Sequence, residues 1–186
     1  MKISDILDAK AVLPEIKATN KKQMLQTIAQ HFAALVAVDQ RIIFETLLTR
    51  EKLGSTGLGQ GFAIPHGRVH GLKQVAGLFV KLEQPIDYDA VDGKPVDLVF
   101  ALLSPDHAGA DHLTALAKIS RVMRSPAAVS KLRATNTAEG LYAVLTEPVV
   151  STPASAAIAN RKVAVNIPSA CDITGSRAIH STRRGE

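Results

Sequence analysis

Cysteine occurs once in this chain of 186 residues, tryptophan never, and aromatic residues make up 4%. The lone thiol, Cys171, has no internal disulfide partner, and without a second cysteine no zinc-ligand pair is available. Long apolar runs are missing too. The stretch FAALVAV at 32–38 is far too short to cross a bilayer. The opening MKISDILDAK has early acidic residues and no apolar stretch, unlike a secretory signal. These absences lead us to expect a cytoplasmic protein with no membrane insertion. Blocks of Lys and Arg are also lacking. Residues 148–186 hold five Lys/Arg and two Asp/Glu, leaving 17 and 15 to residues 1–147, so the formal charge of +5 owes much to the tail. Nucleic-acid binding finds no support in so balanced a body. Metal and cofactor signatures are absent as well. There is no HExxH, no Cys/His cluster, no GxSxG, no GK[ST] loop and no GxGxxG opening a helix. Neither a metal ion nor a cofactor is expected.

What is present is ordinary globular material, 46% hydrophobic and 21% charged. NKKQMLQTIAQHFAALVAV reads as a helix, with Asn20 as cap and Gln23 in capping-box spacing. DQRIIFETLLTREKLGS reads as a second helix, capped by Asp39, ending at Gly54 and carrying Arg50 in its last turns. A glycine-rich loop, GSTGLGQG, and a short extended FAIPH follow, since a residue before proline avoids the helical region. VAGLFVKL and VDLVFALL have strand length and are expected to be buried on both faces, with a turn at Asp92-Gly93 between them. ADHLTALAKISRVM reads as a helix capped by Asp111, with Leu113, Leu116, Ser120 and Met123 on one stripe. Two short helices close the body, the first with Pro126 at its first position. The fold class is therefore α/β, a mixed β-sheet flanked by helices. The domain spans 1–147, and 148–186 reads as a low-complexity, disordered tail in which KVAVNI is a candidate edge strand.

Of six histidines, His31, His107 and His180 sit on a helix flank or in loop and tail, and His70 follows His66 by four but not on a helix, so metal binding there has little support. His66 differs. It follows Pro65, precedes Gly67, and has Arg68 close behind. His112 opens a helix, where the dipole opposes protonation of an imidazole and favours anions. A neutral imidazole has the free lone pair that a nucleophile needs. Arg50 offers a planar fork for phosphate oxygens, and Ser55 and Thr56 offer hydroxyl and backbone donors. Brought together, these describe a phosphoryl group held on a histidine without a metal. The same residues also fit a plain surface loop and a helix-opening histidine with no chemistry.

The stretch REKLGSTGLGQGFAIPHGR at 50–68 resembles the phosphorylation-site signature of the type IIA domains of the phosphoenolpyruvate-dependent phosphotransferase system, the fructose–mannitol family. DHLTALAKISRVMR at 111–124 resembles the family's second motif, and the opening resembles its nitrogen-regulatory branch. The resemblance covers residues 1–147. It implies that His66 is phosphorylated on Nε2 by an HPr-like phosphocarrier protein, that His112 orients His66 or binds phosphate, and that Arg50 is the active-site arginine. Ser55 and Thr56 then lie beside the site as phosphate-binding residues. Gly61, Ala63 and Gly67 are expected to let a partner surface approach. A regulatory phosphocarrier with regulatory target proteins is the function implied. The alternatives are a sugar-transport IIA component serving a IIB partner, and an interaction module that is never phosphorylated.

Overall fold

The computed structural model describes residues 1–147; the tail and its candidate strand lie outside the described residues. A short 3-10 turn, Ile3–Asp5, leads into β1 (Leu7–Ile16). Two helices follow, α1 (Lys21–Val36) and α2 (Gln40–Lys52), then three short strands, β2 (Gly57–Gly59), β3 (Phe62–Ala63) and β4 (His66–Arg68). The long strands β5 (Ala76–Ile86) and β6 (Val96–Ser104) precede α3 (Gly109–Met123), α4 (Pro126–Ala134) and α5 (Ala138–Thr146). The sheet is mixed, in the order β1-β5-β6-β3-β2, with β4 continuing beside β6. β1 runs parallel to β5, β3 and β4 run parallel to β6, and β5 and β6 pair antiparallel.

The centre of the sheet follows from composition. β6 is buried along eight of its nine positions, and Phe79 and Phe100 meet across β5 and β6 with ring centroids 6.3 Å apart. VAGLFVKL at 75–82 is buried or half-buried at every position, as expected, and β5 runs on past it through the exposed Glu83 to Pro85.

β1 is a strand that the sequence pattern hides. Its register slips twice against β5, its burial does not alternate, and it contains Pro14. Proline is tolerated because β1 ends the sheet, where a missing N–H breaks no central ladder.

Helix starts largely match the sequence signals, with two differences. At α1 the Asn20 side chain accepts from Gln23 N as expected, but the Gln23 amide oxygen reaches Thr19 N rather than Asn20 N, at 2.8 Å. At α3 the helix begins at Gly109, two residues before Asp111, so Asp111 lies inside the first turn and Ala108 is the uncapped entry. The buried stripe is His112, Ala115, Ile119, Val122 and Met123, and Leu113 is turned outward. This rotation sets His112 facing the sheet. The expected glycine loop is instead largely a tight hairpin, with β2 and β3 paired antiparallel and Gly59, Gln60 and Gly61 all at positive φ.

Candidate functional site

His66 begins β4, in register with Leu102 of β6. Its Nδ1 lies 2.7 Å from the Ile64 carbonyl oxygen. A carbonyl only accepts, so Nδ1 carries the proton and Nε2 keeps its lone pair. Arg50, in the last turn of α2, donates from Nε to that Nε2 at 3.2 Å. Its Nη1 donates to the Gly54 carbonyl at 3.1 Å, which fixes the direction of the guanidinium. Burial lowers the His66 pKa below the ordinary histidine value; the Ile64 hydrogen bond opposes this, Arg50 adds to it, and Glu51 pulls the other way. The ring is thus held neutral.

His112 stands beside it, with ring centroids 5.5 Å apart and planes inclined at 55°. Its Nδ1 is 2.8 Å from the hydroxyl of Ser104, a fully buried residue at the end of β6. Burial again lowers the pKa, followed by the influence of His66 and Arg68. Both rings border an open depression of about 570 Å³, whose wall also includes Ile42 and Arg50 of α2, Leu53 just after it, and Arg68 of β4. Two neutral imidazoles and two guanidinium groups therefore share one concave surface. It is suited to a small, multiply charged anion.

The family pattern of the phosphoenolpyruvate-dependent sugar phosphotransferase system, EIIA 2, matches residues 5–147. The chain belongs to this family. A nitrogen regulatory protein of Bradyrhizobium diazoefficiens is 49% identical over 157 residues, covering 84% of this chain and all of the relative. The crystal structure of the nitrogen regulatory protein IIA-Ntr from Neisseria meningitidis superposes with a TM-score of 0.74 at 38% identity, covering 77% of this chain and 99% of that one. The IIA mannitol structure from Escherichia coli shares the fold, with a TM-score of 0.63 at 17% identity over 74% of this chain and 97% of its own. As an EIIA component the protein is a phosphocarrier of the phosphotransferase system. Among the described residues no helix is long and apolar enough to cross a membrane.

Within this EIIA domain three of the sequence-derived site residues converge, namely Arg50, His66 and His112. Ser55 and Thr56 do not join them. The Ser55 hydroxyl donates to the Tyr88 carbonyl at 3.0 Å and accepts from Gly57 N. Thr56 is buried, and both its N–H and its hydroxyl donate to the Glu51 carboxylate. Their hydroxyls brace the loop instead of facing the depression, because the hairpin turns them toward Tyr88. Gly61, Ala63 and Gly67 are likewise buried. A Cβ on Gly61 would strike Arg133 and Asp97, and one on Gly67 would fall 2.5 Å from Thr46 Cγ2 of α2. Their smallness admits the molecule's own parts, not a partner.

The sequence reading noted Arg68 behind His66 without giving it a role, and it missed Ser104 and Glu51. Arg68 was legible: it lies two residues after His66 in a strand, and alternate side chains share a face. Ser104 and Glu51 carried no local signal. His31 and His70 stay apart from the site; His31 bonds the Thr27 carbonyl and His70 meets Asp106, each through Nδ1. Among the described residues no three His, Cys, Asp or Glu side chains gather in a metal-holding arrangement.

Proposed function

We propose that His66 Nε2 accepts a phosphoryl group from the phosphohistidine of an HPr-like carrier, and that its phosphorylation state regulates nitrogen-related target proteins. One observation carries the reading. The Ile64 carbonyl holds Nδ1–H, so the only lone pair left on the ring is the one that Arg50 touches. As the phosphoryl group arrives, Arg50 gives up that lone pair and turns its donors to the phosphoryl oxygens. The donor's P–N bond breaks as the His66 Nε2–P bond forms, and the donor ring keeps the bonding electron pair. No water is consumed. Arg50 and Arg68 supply the positive charge, so the reading needs no metal ion. His112, fixed by Ser104, offers its remaining ring nitrogen to the same group. Such transfer depends on placement and charge more than on covalent help.

The open form of the depression supports a protein donor, because a second phosphohistidine has to come within in-line reach. The relative that is 49% identical over its whole length is a nitrogen regulatory protein, which supports the regulatory role over sugar transport. Incubation with phosphoenolpyruvate, enzyme I and an HPr-like carrier, followed by intact-mass measurement, should give one acid-labile, alkali-stable phosphoryl increment. His66→Ala should abolish it. Persistence of the increment in that variant would refute the assignment.

A further inference from the structure

We propose that Glu51 is a positioning residue for this transfer: its buried carboxylate fixes the loop at 54–56, and the loop in turn aims Arg50 at His66. The proposal rests on the reading of His66 as acceptor. Glu51 follows Arg50 in α2, so the two side chains leave the helix about 100° apart. Arg50 points to the depression and Glu51 into the interior.

A carboxylate removed from water is costly unless its oxygens are satisfied. Those of Glu51 meet four donors. Thr56 N lies at 3.1 Å, the Thr56 hydroxyl is closer still, Tyr88 Oη is at 3.4 Å and Lys21 Nζ is at 3.2 Å. An amide NH₂ in the place of Oε2 would face the Thr56 N–H and would make the Thr56 and Tyr88 hydroxyls turn from donors to acceptors, and Lys21 would lose its buried counter-charge, so an acceptor-only side chain suits the position best. The surroundings respond accordingly. Burial, then the Glu51 charge, pushes the Tyr88 phenol well above its ordinary pKa. Burial alone would lower Lys21, but its bonds to Asp89 and Glu51 raise it.

The consequence lies two residues back from Thr56. The Gly54 carbonyl takes Arg50 Nη1; on its N-terminal side Gly54 is tied to α2 by its N–H on the Glu51 carbonyl at 3.2 Å, and no side chain crowds the position where a Cβ would stand. On its C-terminal side the segment is held by Thr56 on the Glu51 carboxylate, by Ser55 on the Tyr88 carbonyl and by the Thr56 carbonyl on Ile64 N. Releasing the Thr56 side chain from Glu51 loosens the C-terminal anchor of the peptide whose carbonyl orients the guanidinium.

Two variants of the full chain test this. Glu51→Gln removes the acceptor-only character. Thr56→Val keeps the side-chain shape and the backbone N–H but loses the hydroxyl, and it decides the matter where Glu51→Gln does not fold. In both, the NMR signal of the Arg50 Nε–H should shift or broaden in the unphosphorylated protein. Single-turnover transfer should slow on the order of ten- to a hundredfold, as expected for a displaced reacting group. Carrier affinity should stay unchanged, and Thr56→Ser should restore the rate. A folded Thr56→Val protein with a wild-type rate, or with an unmoved Arg50 signal, would overturn the proposal. The Arg50 signal needs no phosphoryl group. A wild-type protein that takes up no phosphate would therefore sink the acceptor reading, while the Arg50 signal would still test the role of Glu51.

Discussion

Arg50 makes two directed bonds, one to His66 Nε2 and one to the Gly54 carbonyl, from different atoms of one planar group. Lysine keeps the charge but cannot make both. Arg50→Lys should therefore lose most of the single-turnover rate, with Arg50→Ala only somewhat slower. A lysine variant near wild type would reduce the role of Arg50 to charge alone. The two histidines make a pH prediction. Both pKa values are depressed, chiefly by burial, so both rings stay neutral below the ordinary value of about 6.5. NMR titration of the ring C–H signals should give midpoints below that value for His66 and His112, and the acceptance rate should hold until the His66 midpoint is reached. The same shifts bear on stability. Unfolded imidazoles take up protons first, so this contribution is complete above about 6.5 and is lost as pH falls through the folded values. His66, His112 and Arg50 were legible because each stands in a short motif with chemical meaning. Glu51 and Ser104 were not, because their partners come from folding: Glu51 meets Tyr88, 37 residues away, and Ser104 meets a histidine that has first to turn inward.

At the scale of elements, α2 and β4 lie close enough that Gly67 leaves no room for a Cβ beside Thr46. This close approach lies between the helix that carries Arg50 and the strand that carries His66. Gly67→Ala should cost about 1–3 kcal/mol, the usual range for overpacking, and should slow transfer as well. Adding Thr46→Ser, which removes the opposing methyl, should recover much of both. Urea unfolding and single-turnover rates of the single and double variants check this; equal losses in both would place the strain elsewhere. The long helices and the two central strands were readable from periodicity and apolar runs. β1 was not, because an edge strand with a proline and two register slips shows no alternation. The stripe read on α3 was off by part of a turn: Met123 is buried and Leu116 packs against the core, but Leu113 faces out and the buried stripe runs through His112 and Ala115.

At the scale of the whole molecule, two large apolar side chains lining the depression are exposed, Ile42 at 47% and Leu53 at 82%, and Leu113, which follows His112 in sequence, is exposed at 67%. An apolar rim around a cationic centre suits a protein donor that buries its own apolar surface while delivering an anion. Leu53→Glu should weaken carrier binding about tenfold, the loss of a modest interface contact, and leave the rate at saturating carrier near wild type. Titration of the rate against carrier concentration separates the two; an unchanged half-saturation would remove Leu53 from the docking face.

The most direct test concerns the nitrogen that carries the phosphate. In protein labelled with ¹⁵N-histidine, the unphosphorylated His66 ring should show a protonated Nδ1 and an unprotonated Nε2. After incubation with phosphoenolpyruvate, enzyme I and the carrier, phosphorus–nitrogen coupling should appear at His66 Nε2. Coupling at His66 Nδ1, or at either nitrogen of His112, would contradict the account, because the Ile64 carbonyl would then not be what selects the nucleophile.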